Sequence, residues 1–511
     1  MSTKSHLVAG GLGFVSHLIL ASREIDRHAH IPILFGLSVV SSLALLQSLG
    51  GDAISVGWTW KDIVQSITCY LLALFSSITI YRGFCHRLRK FPGPFAARLT
   101  KWYGFWLASG TLQYHLETEK LHKMYGDYVR TGPRELSIID VDAVASIHAA
   151  SKSEHNQRRR KWDRGFNAKA LRDYEPRVNR HSKLLNQQLR ARQGKTLRIS
   201  DWVNFYSFDV MGDVGFSRSF DMVENGKEDN IIKSLHKSMH LLGYLTHLPW
   251  LITLLMRLPG GASDLTTFMT WCNSVLKDRK KITPDEPDIV SWLMNENDQG
   301  IPQDLNADAR LLIVAGSDTT AATLTWIFYE LATHPQQLKK LQAVIDLIPE
   351  NDGMIDCRSV ANVAELDGVI NEALRLHPAV PSGVQRETPK EGLIVGDIYI
   401  PGNILVWTPP HTLQRDERYF VDPLSFVPER WTTKPEMILD KRAFIPFGIG
   451  SYSCVGQKLS LLEMRTVVAN IVRYFDIALA PGENGESLMR DTKDTFTLTM
   501  GKLDVVLGVR N

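Results

Sequence analysis

The sequence predicts a mainly α-helical fold with a small β side region, preceded by transmembrane helices. Three observations carry that prediction. Apolar segments crowd the first ninety residues, helix-length periodic segments fill most of the remainder, and strand signals are confined to two short regions. With 511 residues, 44% of them hydrophobic and 22% charged, the chain can bury a large core. A net charge of +3, with no long basic tract carrying interleaved aromatics, argues against nucleic acid as a partner. The five cysteines, Cys69, Cys85, Cys272, Cys357 and Cys454, are scattered and contain no Cys-x-x-Cys pair. That pattern indicates neither a disulfide framework nor a zinc site and fits a catalytic domain facing a reducing compartment.

The N-terminal segments come first. Ile31–Leu49 and Ile63–Tyr81 are each about 19 residues long with few or no charges, close to the length that crosses a bilayer core. Leu7–Leu20 is shorter and carries His17, and counting it gives about three spans in residues 1–90. Arg23 and Arg27 follow the first segment, and Arg82, Arg87, Arg89 and Lys90 follow the third, whereas only Lys61 lies between the second and third. Positive-inside counting therefore places the N-terminus in the lumen and everything after Arg82 in the cytosol, with Trp58 and Trp60 in a lumenal aromatic belt.

Phe91-Pro92-Gly93-Pro94 then reads as a stiff hinge, because proline fixes extended geometry and cannot continue a helix. It opens a catalytic domain over 91–511. Leu116–Tyr125 reads as helix, and Asp127–Arg130 with Glu135–Ile139 as strands around the turn at Gly132-Pro133. A second β unit is expected where Ile398–Ile400 and Ile404–Trp407 flank Pro401-Gly402-Asn403. Leu248–Met256 is an apolar stretch that serves equally as a membrane-contacting surface, with Trp250 at headgroup depth, or as a buried packing segment.

Four motifs carry chemistry. Phe447-Gly448-Ile449-Gly450-Ser451-Tyr452-Ser453-Cys454-Val455-Gly456 places a lone Cys at the end of a glycine-bearing loop, just before a helix-like run from Gln457. Backbone N–H groups and the helix dipole there favour a thiolate, and the glycines let main chain approach a flat macrocycle. Glu372 and Arg375 share one helical face at i, i+3. Phe426-Val427-Pro428-Glu429-Arg430-Trp431 follows. Finally, Ala315-Gly316-Ser317-Asp318-Thr319-Thr320 sits within the apolar stretch Leu311–Leu331. An acid and hydroxyls there are costly to bury without partners, and Gly316 reads as leaving room for a kink that admits dioxygen and water.

In that order and spacing the motifs resemble those of the cytochrome P450 family of haem-thiolate monooxygenases, whose cysteine loop reads Phe-x-x-Gly-x-Arg-x-Cys-x-Gly. Phe447, Gly450, Cys454 and Gly456 match, whereas Tyr452 stands where the family usually has a propionate-pairing Arg or His. The resemblance implies haem b with Cys454 as axial ligand, a thiolate suited to O–O cleavage. It also implies a structural triad of Glu372, Arg375 and Arg430, and proton relay to the reacting oxygen by Asp318 and Thr319. His155, Arg159 and Arg386 are the implied propionate cations. The basic face around Arg158–Arg164 reads as solvated and as a complement to an acidic reductase surface.

By family position Val314, Ala315, Ser382, Gly383, Val384 and Phe496 are expected to contact substrate. The implied activity is insertion of one oxygen atom from O2 into an apolar small molecule, a secondary-metabolite intermediate, with electrons from NADPH through a separate NADPH–cytochrome reductase. Desaturation, cyclisation or coupling is the enzymatic alternative, and a haem-binding membrane protein without oxygenase turnover is the other. The implied location is the endoplasmic-reticulum membrane, multi-pass, as in fungal secondary-metabolism members with several N-terminal spans. One departure stands out. About five residues separate the Val141–Ala149 helix from His155, too few for the longer loop that roofs the family's substrate pocket. Either the pocket is open on that side or the chain is an altered gene product.

Overall fold

The computed structural model describes residues 2–21, 60–149, 153–294 and 304–510. Among the described residues two helices come first, α1 (Ser2–Ala21) and α2 (Trp60–Ile80), the second continuing into a π-helical turn at Tyr81–Cys85. They pack side by side in the same direction. His6 Nδ1 lies 3.1 Å from the Ser66 hydroxyl and His17 Nδ1 lies 2.7 Å from that of Ser77, while Tyr70 donates to the Ser16 hydroxyl. A Cβ on Gly13 would stand 2.3 Å from the Tyr70 carbonyl, so the glycine permits this close crossing. The face of α2 bearing Val64, Leu72 and Phe75 is open. From Val64 onward this helix is long and apolar enough to cross a bilayer. The predicted middle span, Ile31–Leu49, lies outside the described residues, as do Arg23, Arg27 and Trp58.

The rest is a helical body with small sheets at its side. Helices α3 (Trp102–Ser109), α4 (Val141–Ala149), α5 (Ser153–Gly165), α6 (Ala168–Arg190) and α7 (Ile199–Phe216) precede α8 (Asn230–Leu245), α9 (Pro249–Leu255) and α10 (Ser263–Arg279). Then come α11 (Leu305–Thr333), α12 (Ala364–Leu376) and α13 (Gln457–Tyr474). The α4–α5 connection is residues 150–152, as short as the sequence indicates. Though α11 has the length and apolarity of a membrane span, it is mostly buried and forms the central strut of the core.

Two glycines set how α11 lies against α7. A Cβ on Gly316 would fall 2.2 Å from the Met211 methyl, and one on Gly215 would fall 2.9 Å from Leu312. Each glycine receives a side chain of the facing helix, which brings the backbones together. The space beside Gly316 is therefore filled by Met211. α11 continues as helix through this position.

The β regions form four sheets. Strands β1 (Tyr128–Gly132) and β2 (Glu135–Ile138) pair antiparallel, as predicted. Strand β3 (Thr196–Arg198) is one edge of a second sheet. Beyond α12 come β4 (Arg386–Glu387), β5 (Leu393–Val395), β6 (Ile398–Ile400) and β7 (Leu405–Trp407). The expected pairing across Pro401-Gly402-Asn403 does not form. Strand β6 pairs with β5, while β7 lies between β2, to which it is parallel, and β4. The reason is local: Thr388 accepts from the Ile404 N–H and donates to the Pro401 carbonyl, turning the chain from one sheet into the other. Near the C-terminus β8 (Phe475–Leu479) and β11 (Asp504–Val509) complete the second sheet. Between them β9 (Lys493–Thr495) and β10 (Thr497–Thr499) form a hairpin whose turn residue, Phe496, has φ +90°.

Candidate active site

The cysteine loop is held from both ends. The Cys454 N–H donates to the Phe447 carbonyl at 2.8 Å, and Gly450, at φ +69°, passes so near α4 that a Cβ would stand 2.3 Å from the His148 carbonyl. Both observations explain why glycine is required at this position. Cys454 itself is exposed, and α13 begins three residues later. Surrounding protein still desolvates the sulfur and pushes the thiol up, against the backbone N–H groups of Gly456 and Gln457 and the positive charge of Arg159, which pull it down. These opposing influences favour a thiolate bound to a cation over a free one.

Cationic side chains gather beside the loop. Arg159 donates to the Ser453 carbonyl at 2.6 Å and, through Nε, to Asp163 at 2.7 Å, so it braces the loop leading into Cys454. The His155 ring lies on Tyr452 with centroids 3.9 Å apart, and the Arg386 guanidinium covers the same ring at 4.7 Å. Tyr452 thus contacts both His155 and Arg386. Buried nitrogens without hydrogen-bond partners remain at His155 Nδ1, Arg386 Nε and His148 Nδ1. Unfilled donors next to a thiolate candidate suit a ligand carrying acidic groups. The donor set fits an iron macrocycle with carboxylate arms.

The predicted triad is assembled. Glu372 accepts from Arg375 Nε and Nη2 at 2.9 and 2.8 Å and from Arg430 Nε at 2.9 Å. All three side chains are fully buried. Trp431 Nε1 and the Val427 N–H also donate to Glu372, at 2.9 and 3.0 Å. Neither partner was anticipated, although Trp431 stands directly after Arg430 in the motif.

On α11, Thr319 donates to the Ala315 carbonyl at 2.7 Å and Thr320 to that of Gly316 at 3.3 Å. Asp318 is buried, with His236 Nε2 of α8 3.3 Å from one carboxylate oxygen. An apolar cavity of about 380 Å³ lies under α8 and α10 against α11, lined by Leu235, Met239, Leu242, Leu311, Val314 and Phe496 among others. Val314 and Phe496 are the two expected contacts on its wall. Ala315 lies one residue beyond Val314, whereas the Ser382 hydroxyl is committed to Asp494 at 2.5 Å. Gly383, at φ +77°, faces the Thr408 carbonyl, and Val384 is exposed, so the structure does not bring these three to the cavity. His236 was missed because nothing local in its sequence signals Asp318, 82 residues away.

Comparison with known proteins follows the same lines. Residues 140–506 match the family model described as Cytochrome P450. The chain is 43% identical over 471 aligned residues to a protein of Eupenicillium brefeldianum called cytochrome P450 monooxygenase orf5, covering 86% of this chain and 95% of the relative. It is 37% identical to the tryprostatin B 6-hydroxylase of Aspergillus fumigatus, covering 88% of this chain and 86% of the relative. A crystal structure of the cytochrome P450DA heme domain superposes with a TM-score of 0.68 at 17% identity, over 82% of this chain and 98% of that one.

Proposed function

The chain belongs to the cytochrome P450 family of oxidoreductases, and from that premise we propose that it is a haem-thiolate monooxygenase acting on an apolar secondary-metabolite intermediate. The observation that carries the reading is Cys454, exposed at the end of a glycine-bent loop beside His155, Arg159 and Arg386. Burial holds its thiol up until a cation is bound, while two backbone N–H groups and Arg159 stand ready to stabilise the thiolate. Haem held there supplies dioxygen activation and oxygen-atom transfer. Cys454 would hold the iron through its thiolate, and His155, Arg159 and Arg386 would neutralise the acidic arms, with Phe447, Gly450 and Gly456 shaping the loop that receives the ring. Electrons come from NADPH through a separate reductase that docks on the basic face of α5. The cavity's aliphatic and aromatic wall excludes water and selects an apolar substrate. Glu372, Arg375 and Arg430 keep the loop in register and touch no reacting atom.

Thr319 is the proton-holding hydroxyl. In α11 its proton rests on the Ala315 carbonyl, and a rotation of χ1 would release it for another acceptor. Thr319→Ala is expected to load haem normally yet lose several-fold in product formed per NADPH, the missing electrons appearing as hydrogen peroxide. Unchanged coupling would remove Thr319 from proton delivery. The reaction itself is tested by supplying reductase, NADPH and a metabolite panel headed by tryprostatin B, with mass spectrometry for products one oxygen atom heavier. Products that lose hydrogen or join two molecules would instead favour desaturation or coupling.

The reading extends to location: residues 1–90 anchor the protein in the endoplasmic-reticulum membrane and 91–511 form the cytosolic catalytic domain. The parallel packing of α1 and α2 is compatible with the three-span reading. Helix α9 offers a second attachment. None of its residues is buried, and Trp250 lies edge-on to Trp102 of α3 with centroids 6.5 Å apart, beside the exposed Trp106. Protein lacking residues 1–80 is expected to float with liposomes, and Trp250→Ser with Leu251→Ser to reduce that flotation while the haem spectrum is retained. Equal flotation of both folded proteins would eliminate α9 as a membrane contact.

A further inference from the structure

The β9–β10 hairpin is too small to hold its own tip. Thr495 pairs with Thr497, so Phe496 alone makes the turn, and the strands on either side are three residues long. Two short strands are marginal without outside support. A large side chain at φ +90° persists only where its surroundings fix it. The support must therefore come from the residues packed against the hairpin.

Much of it converges on Asp494, two residues before the turn. Its N–H donates to the Leu112 carbonyl at 2.6 Å, and its Oδ2 accepts from the Ser382 hydroxyl at 2.5 Å. The same oxygen lies 3.4 Å from Nδ1 of His115, on the helix Tyr114–Tyr125, a buried nitrogen with no hydrogen-bond partner of its own. The His115 ring is steadied edge-on by His411, with centroids 4.7 Å apart. Burial holds His411 down to about 3, so the ring is neutral and its Nε2 donates to Glu119 at 3.1 Å. Leu112, at the other end of the brace, is itself at φ +54°, and Gln113 beside it donates to the carbonyls of Met489 and Thr492. Two strained residues are thus held across one contact. On the second strand the Leu498 N–H donates to the Ala379 carbonyl at 3.0 Å, and Gly243 of α8 lies so near that a Cβ would stand 3.1 Å from the Thr495 Cα.

We propose that Asp494 is a positioning residue for substrate selection: braced by Ser382 and His115, it fixes the turn that puts the Phe496 ring on the cavity wall. The assignment rests on reading the cavity as the substrate site. Asp494 is not among the residues that line it, so its effect on what the cavity admits passes through the ring of Phe496. Remove that ring, and the brace has nothing left to position.

The test uses the full-length, haem-loaded enzyme and two nitrogenous ligands whose binding to iron shifts the haem absorption. Imidazole is small enough to need no cavity, whereas a phenyl-substituted imidazole must place its ring there. Asp494→Ala is expected to weaken the phenylimidazole several-fold and to leave imidazole unchanged. Asp494→Asn, which keeps an acceptor for Ser382, should stay near wild type. In a Phe496→Ala background, Asp494→Ala should add nothing further. Hydrogen exchange over residues 493–499 should quicken in Asp494→Ala, a readout that needs no haem. An unchanged phenylimidazole affinity, an equal loss for both ligands, a full effect that survives without the Phe496 ring, or unchanged exchange each overturns the proposal. Should Asp494→Ala fail to load haem, Ser382→Ala and His115→Phe take its place, with the same pattern expected at smaller size and no change overturning the role. Phe496→Ala keeps the two readings apart. If it weakens the phenylimidazole while the Asp494 variants do not, the positioning role alone is removed; if it changes nothing, the cavity is not the substrate site and both readings fall.

Discussion

Arg375→Ala is expected to yield protein without haem. The guanidinium makes two bonds to Glu372 and three more to the carbonyls of Gln414, Pro423 and Ser425, at 2.9, 2.6 and 3.1 Å, all in the interior. Its removal leaves those carbonyls unpaired and a buried carboxylate with Arg430 as its remaining charged partner. Breaking such a pair costs about 3–5 kcal/mol, a large share of the roughly 5–15 kcal/mol that holds a protein folded. The loss falls where the chain of 414–431 is tied to α12, directly upstream of the cysteine loop. Arg375→Lys should rescue little, since an ammonium cannot supply the fork of donors that five acceptors require. Haem absorbance per protein and thermal denaturation measure both effects. Normal haem content in Arg375→Ala would show that the triad is dispensable.

Cys454→Ser is expected to abolish oxygenation. The hydroxyl keeps the loop's shape, and the N–H groups of Gly456 and Gln457 remain to bond it, but serine stays protonated at any relevant pH and cannot give iron an electron-rich axial ligand. Wild-type ferrous protein with carbon monoxide should show the long-wavelength band of thiolate ligation, and the variant should lose it. A histidine-like spectrum from folded, haem-loaded wild type would refute Cys454 as ligand.

Much of this site was legible in the chain because its parts are local. The cysteine loop is ten consecutive residues whose glycines and helix start are visible in order, and Glu372 and Arg375 are one helical turn apart. Arg430 became readable through its motif. What could not be read depends on elements distant in sequence. The partner of Leu405–Trp407 is β2, more than 260 residues earlier, and no turn signal encodes a parallel neighbour. Gly316 invited an explanation in terms of dioxygen because Met211, which fills the notch, lies on another helix. The cavity wall divides in the same way: Val314 follows from the helix that carries Thr319, whereas Leu235 and Met239 belong to a helix with no chemistry of its own to announce it.

Phe496 places two requirements in opposition. A side chain at φ +90° costs the backbone about 1–3 kcal/mol, which glycine would largely relieve. Glycine would also remove the aromatic ring from the cavity wall. Variation that favours a sturdier hairpin therefore strips the cavity wall of its ring, and variation that keeps a large side chain there retains the awkward turn. With the strain confined to a single residue between two three-residue strands, exchanging Phe496 for another large side chain leaves the fold's balance nearly where it was. The hairpin tip is a place where the shape of the cavity wall can change with little consequence for the fold.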